Sequence, residues 1–218
     1  MRKRIIYLVV SCLISLSGFA QSYWTELEFS KKIAKNLKVE FNPELRLLND
    51  FKMDAYILEG GLSYKLHKYL TVAGYYRFEN TWDYKNSTGA YKGQVKSSRL
   101  AFDAKSGFEL KRFDFQFRLR YTNGADFDQA ADESNDSYFR YKAKVEYDIK
   151  GSKFIPSLST EAFHDLNLDN VDKMRYTVGL NYPINNKNEI GLFYRLQDYS
   201  ETGKETLNIL GLSYSLKF

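Results

Sequence analysis

Cysteine is nearly absent from this sequence of 218 residues. The single cysteine, Cys12, lies in an N-terminal segment that has the features of a secretory signal. Once that segment is removed, the mature chain has no thiol, so it can form neither a disulfide nor a cysteine metal site. Only two histidines are present, His67 and His164, so chemistry that relies on imidazole has two candidates at most.

Several functional motifs are also missing. The sequence contains no glycine-rich phosphate loop, no zinc-ligand spacing and no dinucleotide-binding fingerprint. Beyond the N-terminal segment it has no long apolar run, whereas a membrane-spanning helix needs about 20 apolar residues. We therefore expect no cofactor and no resident metal, and we do not expect an enzyme.

The first 20 residues predict export. Positions 2–4 are basic, residues 5–16 are almost wholly apolar, and residues 18–20 form a small-x-small cleavage site. We expect cleavage after Ala20, which gives a signal peptide at 1–20 and a single mature domain at 21–218. Lipid modification of Cys12 is a weaker alternative, because the mature chain would then begin with an apolar stretch where a polar tether is expected.

The charge balance of the mature chain is nearly neutral. The signal carries three of the 32 basic residues and no acidic residue, which leaves 29 basic and 27 acidic residues, a net charge of +2 in place of +5. Nucleic-acid binding would need a concentrated basic face. The sequence therefore predicts no nucleic-acid partner.

After the signal, apolar and polar residues alternate, which is the period of a β-strand. Residues 113–121 are the clearest example, with five apolar or aromatic side chains opposed by four polar ones. A soluble strand has about 5 or 6 residues, whereas a tilted membrane-spanning strand needs about 9 to 11. Most of the predicted strands are long enough to span a membrane. They cover approximately residues 22–33, 35–48, 54–66, 69–82, 94–110, 112–123, 136–149, 153–165, 172–184, 187–199 and 205–218.

The connections and the aromatic residues also fit a membrane barrel. Tight polar turns at 111–112, 150–152 and 185–187 contrast with long polar loops at 83–95 and 123–135, and outer-membrane barrels have short periplasmic turns and longer outer loops. Aromatic residues cluster near strand ends, where interfacial girdles lie. The cluster on the fourth predicted strand comprises Tyr69, Tyr75, Tyr76, Phe78, Trp82 and Tyr84. The last strand alternates and closes on Phe218, so we expect Tyr214, Leu216 and Phe218 to act as an assembly signal.

Together these features predict an all-β fold, an antiparallel up-and-down transmembrane β-barrel of 10–12 strands. The predicted location is the outer membrane of a double-membraned bacterium. The expected partners are outer-membrane lipid and lipopolysaccharide, with the barrel-assembly machinery and periplasmic chaperones during biogenesis. The sequence leaves the oligomeric state and any solute open.

The strand count raises a question of parity. Single-chain bacterial barrels have even strand numbers, whereas eleven strands are predicted. Either one strand is missed, one is over-predicted, or the barrel is odd and closed by a parallel pair. If the C-terminus is periplasmic, Trp24 lies near the outer face.

The mature start resembles a known family. Trp24-Thr25-Glu26-Leu27-Glu28, followed by a lysine-rich turn and then by Glu40 and Glu44-Leu45-Arg46, is similar to bacterial proteins that contain domain of unknown function 2490. The resemblance extends over essentially the whole mature chain. It implies an outer-membrane β-barrel with no established activity and no catalytic residue.

Charged side chains occupy the predicted inward face of the strands. They are Glu26, Glu28, Glu40, Glu44, Arg46, Glu59, Arg77, Glu79, Arg99, Asp103, Arg118, Arg120, Arg140, Lys142, Glu161, Arg175 and Arg195. We expect acids and bases to pair across the lumen. The favoured hypothesis is a structural barrel with a salt-bridged polar plug, since barrels of eight strands are filled and those of about 16 are open. A narrow pore or binding barrel for small polar solutes is the alternative. Glycines within strands would thin the wall around it, although they more commonly permit strands to bend.

A lipid-modifying hydrolase is the second alternative. It would need a nucleophile beside a histidine base and an orienting acid. Ser159, Glu161 and Asp165 are close to His164 in sequence, but His164 shares a strand face with neither Ser159 nor Glu161. His67 is expected in a solvated turn. We therefore predict no catalytic residue.

Acidic loop residues are candidate cation ligands, either for Ca²⁺ or for divalent ions that bridge to lipopolysaccharide phosphates. They do not match the EF-hand spacing, so solvated acids are the favoured interpretation and no metal site is predicted. The two groups are Asp126, Asp128, Asp132, Glu133 and Asp136, and Asp165, Asp169 and Asp172.

Overall fold

The structure is a computed structural model that describes residues 20–85, 88–127 and 135–218. Residues 1–19 of the predicted signal lie outside the described residues, as do Asp128, Asp132 and Glu133 of the predicted acidic loop. Within the described ranges, no helix is long and apolar enough to cross a membrane.

The described chain folds into eleven consecutive β-strands. Their bounds are β1 (Ser22–Lys32), β2 (Leu37–Leu48), β3 (Met53–His67), β4 (Leu70–Tyr84), β5 (Tyr91–Leu110), β6 (Phe113–Asp126), β7 (Asp136–Tyr147), β8 (Ile155–Asp165), β9 (Asn170–Pro183), β10 (Asn188–Tyr199) and β11 (Leu207–Lys217). The strands form a closed barrel in which sequence neighbours pair antiparallel. The predicted all-β barrel is confirmed.

The barrel closes through one parallel pair, between β1 and β11. Trp24 lies opposite Gly211 and Glu26 opposite Ser213 in this register. An up-and-down chain with an odd number of strands begins and ends on strands that run in the same direction, so its closure must be parallel. Of the three answers to the parity question, the structure shows the last: the barrel has an odd number of strands and is closed by a parallel pair.

The two faces of the barrel wall differ in polarity as the alternation predicts. On β6, Phe117 and Leu119 face outward and are 46% and 42% exposed, whereas Arg120 faces inward and is 4% exposed. Successive side chains of a strand point to opposite faces, so one row of β6 is apolar and the other is charged. The interior of the barrel, here called the lumen, is therefore polar, and the outer surface is largely apolar.

The chain enters and leaves the barrel at opposite ends. We call the end where β1 begins the N-terminal end and the end where β11 finishes the C-terminal end. The two-residue turns at 68–69 and 111–112 lie at the C-terminal end, whereas the last residue of β6, Asp126, and the first of β7, Asp136, lie at the N-terminal end.

The predicted long loop at 83–95 is mostly strand. Strand β4 continues to Tyr84 and β5 already begins at Tyr91. Asp83 pairs with Gly93, and a bulge follows between Asp83 and Tyr84. A salt bridge of 2.7 Å between Lys92 Nζ and Asp83 Oδ2 joins the two strands there. The polar composition concealed this extension, because the strand ends are exposed and need no apolar row.

Candidate functional site: the lumen of the barrel

Arg120 forms the centre of an ion-pair network in the lumen. Its guanidinium donates to Asp103 Oδ1 on β5 at 2.6 Å and to Glu59 Oε2 on β3 at 3.1 Å. Glu59 Oε2 also accepts a hydrogen bond from Arg77 Nε at 2.9 Å. The side chains of Arg120, Glu59 and Asp103 are at most 6% exposed. Such burial is tolerated because every carboxylate faces a hydrogen-bonding cation.

A second cluster centres on Glu161 of β8. Its Oε1 accepts hydrogen bonds from Arg118 Nη2 on β6 at 2.7 Å and from Arg140 Nε on β7 at 3.0 Å. Two guanidiniums share one carboxylate, so this cluster carries an excess of positive charge. The Nε of Arg118 is buried and has no hydrogen-bond partner among the described residues.

Three further ion pairs involve Arg46 on β2 and Arg195 on β10. Arg46 Nε donates to Glu44 Oε1 at 2.6 Å, and its Nη1 lies 3.4 Å from Glu79 Oε1 on β4. Arg195 Nη1 donates to Glu26 Oε1 at 2.8 Å, which links β10 to β1 across the intervening strand β11. The Arg46–Glu79 and Arg195–Glu26 contacts connect strands that do not pair directly, so they tie separate parts of the wall together.

The pairing registers place every predicted lumen residue on the inward face, in line with the buried residues of its strand. Four of these residues do not form an ion pair within the described part of the chain. Within the described part of the chain, no oppositely charged group lies within 4.0 Å of Glu28, Arg99, Lys142 or Arg175. Arg175 instead donates to Gln197 Oε1.

Trp24 faces the lumen. The sequence predicted its position along the barrel axis but not its inward direction. Its ring is buried in the lumen, and its Nε1 donates to Ser22 Oγ at 2.8 Å. The guanidinium carbons of Arg46, Arg195 and Arg175 lie 4.0, 5.1 and 5.3 Å from the ring centroid. Cations over an indole face are attracted by its quadrupole, so Trp24 holds together arginines that would otherwise repel one another.

Tyr75 corrects the predicted aromatic girdle. It faces the lumen and is buried, with the Arg120 guanidinium 5.0 Å from its ring centroid, whereas the adjacent Tyr76 faces outward and is exposed. Adjacent residues on a strand point to opposite faces, so only one of this pair can belong to an outer girdle. The hydroxyl of Tyr75 hydrogen-bonds Glu40, which gives its polar end a partner inside the barrel.

In the described part of the chain, four buried aromatic rings face the lumen, and they share a simple sequence signal. Each lies two positions from a predicted inward charge, and a spacing of two keeps a side chain on the same face of a strand. The pairs are Trp24 with Glu26, Tyr75 with Arg77, Phe163 with Glu161, and Phe193 with Arg195. Phe163 and Phe193 also lie against Arg140 and Arg195, at 4.4 and 4.5 Å from ring centroid to guanidinium carbon.

Two glycines make room for these rings. A Cβ at Gly211 would lie 2.1 Å from Cζ of Phe193, and a Cβ at Gly61 would lie 2.3 Å from the carbonyl oxygen of Gly74 and 2.4 Å from Cδ1 of Tyr75. These distances are far below van der Waals contact. At these positions the glycines therefore admit interior side chains and do not widen a channel.

A cavity of about 770 Å³ opens at the C-terminal end of the lumen. It is bounded by strands β2 to β7, and its inner limit is formed by Glu40, Lys105 and Arg118. The charged residues that line it are mostly basic. They are Lys38, Lys65, Lys68, Lys105, Arg118, Lys142 and Lys144 on the basic side, against Glu40 and Asp114.

The histidines do not form a catalytic site with the polar residues that lie near them in sequence. His164 faces outward, opposite Phe139, and its Nε2 lies 3.1 Å from Oδ1 of the exposed Asp169. Ser159 and Glu161 are buried on the inward face of the same strand. The strand wall therefore separates the imidazole from both groups. His67 is exposed at the end of β3, beside the predicted turn.

The acidic residues do not assemble a metal site within the described residues. No group of three or more His, Cys, Asp or Glu side chains is placed there to hold an ion. Asp165 instead caps the β8–β9 turn, since its Oδ1 accepts from the backbone amides of Asn167 at 2.7 Å and Leu168 at 3.1 Å.

The terminal strand presents its predicted residues on the outer surface. Tyr214 and Leu216 face outward on β11, and Tyr214 Oη donates to Asn188 Oδ1 at 2.6 Å. Phe218 is exposed, and its backbone amide donates to the carbonyl of Ser30 at 2.9 Å.

Comparison with known proteins gives a family and no activity. No curated protein matches the chain. A family model described as a protein of unknown function, DUF2490, matches residues 21–208, which include β1 to β10. The chain therefore belongs to the DUF2490 family.

Proposed function

We propose that this protein is an exported outer-membrane β-barrel whose lumen is closed by a salt-bridged plug. In this proposal the signal at 1–20 is removed after Ala20, and the barrel is inserted by the assembly machinery through its terminal strand, with Tyr214, Leu216 and Phe218 as the recognised residues. The barrel then lies among outer-membrane lipid and lipopolysaccharide. Its contribution is structural.

The observation that supports the membrane location is the reversed distribution of polarity. Large apolar side chains stand on the outer surface of nearly every strand, among them Leu62, Phe102, Phe117, Leu158, Val178 and Leu212, each at least 46% exposed. Soluble monomers rarely expose contiguous apolar patches of more than a few hundred Å². A lipid environment removes this surface from water, and outer-membrane barrels combine an apolar outer band with a polar interior.

The observation that supports a closed lumen is the layer of buried side chains across its middle. Arg120, Glu59, Asp103, Arg140 and Glu161 are each at most 8% exposed, although they face the interior of the barrel. Barrels of eight strands are filled by their side chains, and an aqueous channel needs about 16 strands. With eleven strands, this barrel lies near the filled end of that range.

Two measurements, heat-modifiable migration on a gel and conductance in planar bilayers, test the two parts of the proposal. The mature protein should be found in the outer-membrane fraction, and it should migrate differently on a gel before and after boiling. In planar bilayers it should give no stable channel. Recovery of the processed chain from periplasmic extract without detergent would contradict the membrane location, and a stable conductance would contradict the plug.

A binding barrel for small polar solutes is a second candidate. It is favoured by the cavity of about 770 Å³ at the C-terminal end, which lies in the range of small-molecule sites, about 300 to 1,000 Å³. A cavity that opens at one end is compatible with a plug in the middle, so the two functions do not exclude each other.

A further inference from the structure

The lining of the cavity at the C-terminal end is strongly unbalanced in charge. Seven basic side chains and two acidic ones, Glu40 and Asp114, line it. Both acids are already engaged by the protein. Glu40 accepts hydrogen bonds from Ser63 Oγ at 2.6 Å and from the hydroxyl of Tyr75, while Asp114 Oδ2 accepts one from Gln116 Nε2 at 2.8 Å.

Most of the basic side chains in this cavity lack an acidic partner. Within the described residues, no carboxylate oxygen lies within 4.0 Å of the ammonium groups of Lys38, Lys65, Lys68 or Lys142. The cavity is therefore a concave surface with an excess of positive charge. Such clefts concentrate oppositely charged solutes, because low-dielectric walls focus the field.

The inner part of the cavity holds two adjacent cations. Lys142 on β7 lies directly opposite Arg118 on β6 in the strand register, and like charges opposite each other destabilise a sheet. Arg118 Nη2 donates a hydrogen bond to Glu161, whereas Arg118 Nε is buried and has no hydrogen-bond partner among the described residues. An anion bound beside Arg118 and Lys142 would offset this repulsion.

The shape and chemistry of the lining select the kind of anion. Apart from Tyr69, Gly107 and the outward-facing Phe117, the lining residues are polar or charged, so there is little surface for an acyl chain. Lysines contributed by several strands form separate point charges, which suit an anion with more than one charged group.

We propose that this cavity binds a small solute with two or more negative charges, of the phosphate-ester or polycarboxylate class, which enters from the C-terminal end. Lys142 and Arg118 contact it at the inner limit, and Lys38 and Lys65 attract it at the rim. This inference goes beyond a structural barrel and depends only on the lumen, so it holds whether or not the middle of the barrel conducts.

Calorimetric titration of the purified barrel in a nonionic detergent tests the site, with inorganic pyrophosphate as the probe and citrate as the carboxylate counterpart. Lys142→Gln should weaken pyrophosphate binding about 10- to 100-fold, since a charged hydrogen bond contributes about 1.5 to 3 kcal/mol. The rim variant Lys38→Gln/Lys65→Gln should also weaken it. Both rim side chains are exposed, so this variant separates a loss of binding from a failure to fold.

Lys187→Gln is the matched control. Lys187 is an exposed lysine in the β9–β10 turn at the same end of the barrel, and it does not line the cavity. Its loss removes one positive charge from the same end, so binding should be unchanged. An equal loss of affinity in Lys187→Gln would show general electrostatic attraction only, and no binding of either probe to the parent protein would overturn the proposal.

Two further measurements show where the probe binds and whether the natural ligand is a free solute or a lipid headgroup. Pyrophosphate should protect Lys38, Lys65 and Lys142 from an amine-reactive label and leave Lys187 equally reactive, a pattern read by mass spectrometry without any variant. Phosphatidylglycerol added to the micelles should leave the pyrophosphate isotherm unchanged. Competition by this lipid would assign the cavity to a headgroup and overturn the proposed solute.

Discussion

The guanidinium of Arg120 on β6 and the carboxylate of Glu59 on β3 meet at 3.1 Å inside the barrel, although 61 residues separate them in sequence. Strands β4 and β5 lie between them in the wall. Their contact therefore crosses the lumen and does not follow the sheet. This ion pair, together with Asp103, forms a connected network of buried charges between β3, β5 and β6.

Replacement of Arg120 should strongly destabilise the barrel. Arg120→Met leaves Asp103 and Glu59 buried with fewer partners, and loss of one member of a buried ion pair costs about 3 to 5 kcal/mol. We expect the lower end of this range, because Arg77 still contacts Glu59 at 2.9 Å and Lys105 lies 3.6 Å from Asp103. Urea unfolding followed by heat-modifiable migration measures the loss.

The matched control for Arg120→Met is Lys92→Met. Lys92 forms a 2.7 Å salt bridge with Asp83, but these side chains are 63% and 44% exposed, and exposed pairs contribute little. Its unfolding midpoint should not change measurably. Equal midpoints for the two variants would mean that the interior ion pair contributes no more than a surface pair.

The faces of the strands could be predicted because a pleated strand leaves little choice. Once Arg118 and Arg120 are assigned to one face, Phe117 and Leu119 must occupy the other. The pairing of charges could not be predicted in the same way. Arg120 contacts Glu59 across the lumen, and that contact depends on the curvature of the closed wall. The unpartnered state of Lys142 among the described residues follows from the same three-dimensional arrangement.

Aromatic residues were the main source of error. Tyr75 and Tyr76 are adjacent and chemically identical, and a cluster of aromatic residues near a strand end is compatible with an interfacial girdle. Only the spacing of two between Tyr75 and Arg77 distinguishes the inward ring. The parallel seam had no local signal at all, because it follows from the number of strands and not from any residue in β1 or β11.

The two tryptophans should respond differently to brominated lipid. Trp24 is 3% exposed and faces the lumen, whereas Trp82 lies on the outward face beside Tyr56, at a ring distance of 5.6 Å. In vesicles that contain brominated lipid, the Trp24→Phe protein should lose much of its remaining fluorescence, and the Trp82→Phe protein should lose little. Unbrominated vesicles are the control. Absence of quenching in both proteins would contradict the proposed membrane location.

Gly211→Ala should destabilise the barrel by about 1 to 3 kcal/mol, the range for overpacking a filled interior. The added methyl group would lie 2.1 Å from Cζ of Phe193. Gly93→Ala is the control, since no atom lies within 4 Å of the position that a Cβ would take there. The unfolding midpoint in urea measures both changes.

A second substitution separates this clash from a general effect of losing a glycine. If the Phe193 ring is the obstacle, Gly211→Ala combined with Phe193→Leu should lose less stability than the sum of the two single variants, as contacting residues are not additive. Strict additivity would show that the ring and the glycine are not coupled.

Removal of the interior rings should open the barrel to ions. Trp24, Phe163 and Phe193 are buried in the lumen among the guanidiniums of Arg46, Arg140 and Arg195. Changing all three rings to alanine removes their volume and also the cation–π contacts that hold the arginines in place. The released arginines should then line a water-filled passage, so we expect measurable conductance with a preference for anions.

The outward-facing triple variant Phe102→Ala/Phe117→Ala/Leu212→Ala is the control for this experiment. It removes a similar amount of apolar side chain from the exposed outer surface and leaves the lumen intact, so it should remain non-conducting. Planar bilayer recordings and liposome swelling with a small anion measure the difference. Leakage around a poorly inserted barrel would show no preference between ions. Anion-selective conductance in the interior variant alone would therefore link these three rings to closure of the lumen.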